Sequence, residues 1–215
     1  MAVKPRTNHA FKRAIDVVVA ALLLALLFPV LLAIAAVVKL TSGGPVIFRQ
    51  VRVGKGGRRF VILKFRTLHT ATPAYCAKPS SPSDARVTRA GRLLRESALD
   101  ELPQLLNVLK GEMSLVGPRP EMPLFAQEYD ALQRLRLEAV PGMTGLWQVA
   151  TDRRGRIHDQ IKYDLYYIHR QSLLLDVQIL MQTVPVCLGG LRAIWARRRA
   201  AVVGLPAARL EGGRP

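Results

Sequence analysis

Between Val17 and Val38 the chain runs for 22 residues without a charged side chain, and no other stretch constrains the fold as strongly. As a straight helix it would reach about 33 Å, enough to match the hydrocarbon core of a bilayer. Pro29 stands near its centre, where it removes a backbone donor and crowds the carbonyl four residues earlier, so a bend is expected there. Both flanks are basic: Lys4, Arg6, Lys12 and Arg13 precede the run, and Lys39, Arg49, Arg52 and Lys55 follow it. The positive-inside rule therefore sends neither end to the far side. A helix that enters one leaflet, turns at Phe28-Pro29 and returns satisfies both features, whereas a spanning helix kinked at proline satisfies only the bend. Re-entry is the expectation. A cleaved signal peptide is a third alternative because Ala33-Ile34-Ala35 resembles a cleavage site, but the apolar run is long for that role.

The 215 residues are enough for one catalytic domain plus this anchor. Lys and Arg total 32 against 15 Asp and Glu, a formal charge of +17. That balance points to polyanionic partners: nucleic acid, anionic lipid headgroups or phosphorylated substrates. Cys76 and Cys187 are far apart and form no CxxC pattern, and His9, His69, His158 and His169 match no metal-ligand spacing. Neither a disulfide framework nor a zinc site is supported, and a reducing compartment fits.

Past the apolar run, Val46 to Val53 and Phe60 to Leu68 read as two strands joined by Gly54-Lys55-Gly56-Gly57. In the second, a period of two puts Leu63, Phe65 and Thr67 on one face and Ile62, Lys64 and Arg66 on the other, so two cations project together. Proline-rich Pro73 to Ser83 reads as an irregular loop bordering the site. Helical patterning starts near Arg92 and recurs across Phe125 to Leu137, where Leu132, Leu135 and Ala139 mark an apolar stripe that ends at Pro141-Gly142. Gln160 to Arg170 is a further helix. Leu173 to Ile194 is apolar but interrupted by Asp176, Gln178, Gln182 and Pro185, which suits an interfacial helix. The basic run Ala196 to Arg199 follows it.

The chemistry concentrates in LRESALDELPQLLNVLKGEMSLVGPRP. Asp100 and Glu101 precede Pro103 and an apolar run ending at Gly111, a layout that places the acids at a helix start. A capping role would account for them, since the helix dipole favours acids there. The rival reading gives one carboxylate to attack on phosphorus and the other to a divalent metal. Consecutive helical residues point about 100° apart, which suits two different roles better than an acid/base pair. Lys64 and Arg66 on the strand, Arg95 a turn earlier, and Arg119 in the rigid Gly-Pro-Arg-Pro turn are the candidate cations.

These pieces, together with FKRAID, GGPVIFRQVRVGKGGRRFVILKFRTL, PGMTGLWQV, DLYYI and SLLLDVQIL, resemble the bacterial sugar transferase family. Its small monotopic phosphoglycosyl transferases begin glycan assembly on undecaprenyl phosphate, and the resemblance covers roughly Phe11 to Pro185. It implies that Asp100 forms a covalent phosphosugar intermediate and that Glu101 binds magnesium. UMP then leaves first, and polyprenyl phosphate attacks second. The expected substrate- and phosphate-binding set is Lys64, Arg66, Arg95, Arg119, Gln148 and Arg153. One departure follows Gln148-Val149: relatives commonly carry a small residue and then Gly-Arg, where this chain reads Ala150-Thr151-Asp152-Arg153-Arg154, so contacts near the nucleotide or sugar are expected to be rearranged.

The expected fold is α/β and mainly helical, with a membrane-embedded re-entrant N-terminal helix, a short β-hairpin and interfacial amphipathic helices. Residues 1–40 form the membrane helix, 41–190 the catalytic domain and 191–215 a basic tail. The expected cofactor is Mg2+. The expected partners are the bilayer, polyprenyl phosphate and a UDP-sugar, with a homodimer also open and nucleic acid not expected. The expected location is the cytoplasmic face of the bacterial inner membrane. A membrane-attached scaffold whose basic face holds lipid or nucleic acid is the rival, and it leaves LDELPQL and GPRP without a task.

Overall fold

A computed structural model of the chain describes residues 9–76, 79, 81, 84–150 and 160–202, with residues 190–202 described by backbone alone. Helix α1 (His9–Ser42) takes up the whole apolar run and keeps Pro29 inside it. Among the described residues it is the helix long and apolar enough to cross a membrane. Leu22, Leu26, Phe28, Leu32 and Leu40 are exposed along it.

Contacts between α1 and the rest of the chain fall in two patches. Ala20 is buried with Leu105, Val108 and Tyr167, and Val19, Leu23 and Leu24 pack against the same core. Ile34 and Val38 are buried with Phe65 and Leu94. Between the patches Ala25, Leu26, Phe28, Pro29 and Val30 are exposed, so both ends of the apolar helix rest on the folded body and its middle does not.

Charge holds the first patch as much as apolar contact does. Lys12 Nζ donates to Asp176 Oδ2 at 2.6 Å with both residues buried. The Tyr167 hydroxyl lies 2.7 Å from Asp176 Oδ1 and 3.0 Å from the Val116 carbonyl. Asp16 accepts from Ser114 Oγ at 2.7 Å and from the Leu115 N–H at 3.2 Å. Arg13 donates to the carbonyls of Val108 and Leu109. Two of the cations that flank the apolar run in sequence are therefore consumed inside the protein. Asp176, which interrupts the last apolar stretch, is the partner of Lys12.

Strands β1 (Ile47–Val53) and β2 (Arg59–Phe65) form the expected antiparallel hairpin, with Ile47 opposite Phe65 and Val53 opposite Arg59. Their turn uses Gly56 and Gly57 at positive φ, which glycine adopts without a Cβ penalty. Helix α2 (Arg89–Glu96) begins at Thr88, whose side chain accepts from the Gly91 N–H at 2.9 Å. A 3₁₀ turn (Leu99–Gln104) then runs into α3 (Leu105–Lys110). Strand β3 (Ser114–Val116) pairs in parallel with β4 (Gly142–Thr144), a contact that three-residue strands are too short to announce in sequence. Between them lie α4 (Pro123–Gln127), α5 (Ala131–Arg134) and a 3₁₀ turn (Leu135–Glu138); beyond them follow α6 (Leu146–Val149), α7 (Ile161–Arg170) and α8 (Leu173–Val202).

The helix expected over Phe125 to Leu137 is thus three short pieces. Asp130 starts a new one with a reciprocal capping box to Gln133. Its apolar stripe is also inverted: Leu132 and Leu135 are 50% and 36% exposed, while Arg136 is 3% exposed. Arg136 turns inward because it has partners there, pairing with Glu121 at 3.2 Å and Asp164 at 2.8 Å beneath the Tyr129 ring.

Removing one member of a buried ion pair leaves the other uncompensated. Lys12→Met is expected to cost about 3–5 kcal/mol, whereas Lys39→Met on the exposed end of α1 stays within about 0.5 kcal/mol. Thermal unfolding in detergent micelles checks this; equal shifts would contradict the pairing.

Candidate active site

Strand β2 is the platform on which the acidic pair is mounted. Asn107 of α3, fully buried, donates from Nδ2 to the Val61 carbonyl at 2.7 Å and accepts the Leu63 N–H at 3.1 Å. It bonds to β2 as a neighbouring strand would. This clasp sets the register of the 3₁₀ turn against the strand and brings Glu101 to Lys64. Asn107 was not among the residues singled out in sequence; a lone amide inside the apolar LLNVLK run was its signal.

Gly117 and Gly142 let the second cation reach the pair. The Gly117 N–H donates to Thr144 O and the Gly142 N–H to Pro118 O, each at 2.9 Å. A Cβ on Gly142 would lie 2.0 Å from the Gly117 nitrogen, so the Gly-Pro-Arg-Pro turn lies directly on the Pro-Gly-Met-Thr-Gly segment. Arg136 Nη2 adds a bond to the Arg119 carbonyl at 3.1 Å, and the Glu121 carbonyl accepts the Val53 N–H at 2.9 Å. Arg136 and Glu121 are thus further residues that position the site, and both escaped the sequence reading.

The outcome is an unequal treatment of two neighbouring carboxylates. Glu101 Oε1 accepts from Lys64 Nζ at 2.5 Å and from Arg119 Nη2 at 2.6 Å, and its Oε2 from Arg119 Nη1 at 3.3 Å. Burial alone would raise the Glu101 pKa, but Arg119 and then Lys64 outweigh it and hold the carboxyl well below the usual range. Asp100 is half-buried and, among the described residues, its carboxylate has no hydrogen-bond or ion-pair partner. Burial is the main force pushing it up to about 6; Lys64, Arg95 and Arg119 pull the other way, and the Glu101 charge adds to the rise. Asp100 is therefore ionised at neutral pH yet not tied down, which is what a nucleophile requires.

The acids lie in a 3₁₀ turn, not in the first turn of an α-helix as expected. At three residues per turn their side chains diverge even more than on an α-helix. Ala98, just before them, has φ +57°, a left-handed conformation that costs a non-glycine residue about 1 kcal/mol and aims the turn.

Of the other expected site residues, Arg95 acts on Asp100 through its charge without a side-chain bond of its own among the described residues. Arg66 lies just past the end of β2 and donates to the Gly43 carbonyl at 3.1 Å. Gln148 on α6 donates to the Met143 carbonyl at 3.2 Å and is not among the partners of either acid. Arg153 and the altered segment after Ala150 lie outside the described residues.

For a metal, no group of three His, Cys, Asp or Glu gathers among the described residues. The free Asp100 carboxylate and the remaining lone pairs of Glu101 offer part of an oxygen shell. That fits magnesium, which binds through one or two carboxylates and completes its shell with substrate phosphates and water.

The model of the family described as bacterial sugar transferase matches residues 7–190. The chain belongs to the bacterial sugar transferase family. It is 47% identical over 182 residues to a UDP-glucose:undecaprenyl-phosphate glucose-1-phosphate transferase of Caulobacter vibrioides, covering 81% of this chain and 68% of that protein. It is 43% identical over 185 residues to a protein of the same name from Klebsiella pneumoniae, covering 82% of this chain and 40% of the relative. It is 38% identical over 203 residues to the exopolysaccharide production protein ExoY of Rhizobium meliloti, covering 87% of this chain and 89% of the relative. The chain thus spans less than half of the Klebsiella protein and nearly all of the Rhizobium one.

The two acids are expected to have opposite effects on stability. Asp100 has a raised folded-state pKa, so its charge destabilises the fold as pH rises from about 4 to about 6; Asp100→Asn is expected to stabilise by about 1–2 kcal/mol above pH 6 and by nothing below pH 4. Glu101 has a lowered pKa and stabilises throughout neutral pH, so Glu101→Gln, which leaves Lys64 and Arg119 facing a neutral amide, is expected to destabilise by about 2–4 kcal/mol. Denaturant unfolding at pH 7 and pH 4 reads both; shifts of the same sign at pH 7 would contradict the asymmetry.

Proposed function

We propose that this transferase moves a sugar 1-phosphate from a UDP-sugar to polyprenyl phosphate through a phosphosugar intermediate on Asp100. The observation that carries the reading is that Asp100 has no bonding partner among the described residues while its neighbour Glu101 is held by two cations, Lys64 and Arg119. The names of the relatives support the substrates: glucose-1-phosphate transferases acting between UDP-glucose and undecaprenyl phosphate, and an exopolysaccharide production protein.

In the first step an Asp100 carboxylate oxygen attacks the β-phosphorus of the UDP-sugar. The bond from that phosphorus to the bridging oxygen breaks and UMP departs with the electron pair. Lys64, Arg95 and Arg119 bring positive charge to the phosphoryl oxygens as they cross the transition state. A magnesium ion held with Glu101 would neutralise the diphosphate. In the second step an oxygen of polyprenyl phosphate attacks the same phosphorus, and the Asp100 carboxylate leaves and is regenerated. A pKa of about 6 suits both halves: ionised enough to attack, and a good enough leaving group to be displaced.

The second substrate is a lipid, so the site must lie at a membrane surface. Support for a re-entrant α1 comes from its two contact patches, Lys12 to Leu24 and Leu31 to Val38, on the same folded body. A spanning helix would carry one of those patches across the bilayer. Basic flanks on both sides favour the cytoplasmic face of the inner membrane.

Two outcomes are expected. UMP release from a UDP-sugar requires Mg2+, and Asp100→Asn lowers it by about 10³-fold or more while the protein remains folded; an active Asp100→Asn would remove the mechanism. With Cys76 and Cys187 replaced by serine, cysteines introduced as His9→Cys and Thr41→Cys label with an impermeant maleimide from the same side of sealed vesicles. Labelling from opposite sides would establish a spanning helix instead.

A further inference from the structure

Arg52 stands on β1 opposite Phe60, and among the described residues its guanidinium makes a single hydrogen bond, from Nη2 to Gln50 Oε1. Its Nε is buried with no partner among the described residues. Gln50 is itself buried and fixed, donating from Nε2 to the Ala74 carbonyl at 2.6 Å and lying 3.3 Å from the Met122 sulfur. On an arginine, Nε–H and Nη2–H point the same way and form a fork that two oxygens of one phosphate can fill. Here one amide oxygen sits on a fork shaped for two.

The neighbours of Arg52 indicate which phosphate. Val53, the next residue on β1, donates to the Glu121 carbonyl at 2.9 Å, which seats this end of the strand beside the Gly-Pro-Arg-Pro turn that carries Arg119. The hairpin register places Arg52 opposite Phe60, four residues along β2 from Lys64, so Lys64 stands at the acidic pair and Arg52 at the end of the hairpin next to the Arg119 turn. Glu121 does not take up the Arg52 charge with a bond, being engaged by the Tyr129 hydroxyl at 2.7 Å and by Arg136. Displacement at phosphorus puts the attacking and leaving oxygens roughly in line on opposite sides. With Asp100 attacking, the departing phosphate lies away from it, toward Arg119 and Arg52.

We infer that Arg52 binds the phosphate of the departing nucleoside monophosphate, its Nε–Nη2 fork closing on two phosphate oxygens as Gln50 gives way. The assignment rests on the two-step reading above and adds a division of labour: Arg52 serves the nucleotide half of the reaction and not the lipid half. No bond is made or broken at Arg52.

The test uses the full chain in detergent with UMP as the probe, followed by calorimetry. Arg52→Met is expected to weaken UMP binding about 10- to 100-fold, the loss of a charge-assisted hydrogen-bond pair. It is also expected to slow adduct formation from the UDP-sugar, while transfer from preformed adduct to polyprenyl phosphate is spared. Arg52→Lys keeps the charge and loses the fork, so it falls between wild type and Arg52→Met; it carries the decision if Arg52→Met does not fold. UMP affinity unchanged in either folded variant, or equal slowing of both half-reactions, would overturn the assignment. Wild-type protein that fails to bind UMP would overturn the transferase reading itself, and this assignment with it.

Discussion

Glu101 is the carboxylate on which the rest of the site turns. Its two oxygens join Lys64 of β2 to Arg119 of the Gly-Pro-Arg-Pro turn, two segments that no short stretch of backbone connects. Because both cations are bonded to Glu101, the Asp100 carboxylate before it has no bonding partner among the described residues. A site with two equally paired acids would have no nucleophile, and one with two unpaired acids would raise both pKa values and lose the charge. The asymmetry comes from placement, since the two side chains are one residue apart and differ by one methylene.

That placement depends on contacts far from the acids. Asn107 fixes α3 to β2, and Arg13 of α1 holds the carbonyls at the other end of α3. Lys12 and Asp16 fasten α1 to α8 and β3. The first turns of α1 are therefore structural supports of the turn that holds the two acids, which gives Lys12 and Arg13 a task inside the protein. Gly117 and Gly142 approach so closely that neither has room for a Cβ, which packs the Gly-Pro-Arg-Pro turn carrying Arg119 directly on the Pro-Gly-Met-Thr-Gly segment.

Much of this was legible in the sequence, for identifiable reasons. The apolar run, the hairpin and the acidic pair announce themselves through charge gaps, a period of two and adjacent carboxylates, all local signals. Family resemblance implies different roles for Asp100 and Glu101, and in the structure the two carboxylates stand in different surroundings. What was not legible depends on partners distant in sequence. The stripe at Leu132 and Leu135 looked core-facing until Arg136 found Glu121 and Asp164. Asp176 looked like an interruption until Lys12 paired with it across 164 residues. The period of two puts Lys64 and Arg66 on one face, but β2 ends at Phe65, so Lys64 meets Glu101 while Arg66, past the strand end, meets Gly43.

The central claim is that the two neighbouring acids are chemically unequal and that Asp100 alone takes the phosphosugar. Intact-protein and peptide mass spectrometry after incubation with a UDP-sugar, without polyprenyl phosphate, tests this directly. One hexose-phosphate adduct is expected, mapped to Asp100 and discharged when polyprenyl phosphate is added. An adduct on Glu101, or turnover with no adduct on either residue, would contradict it.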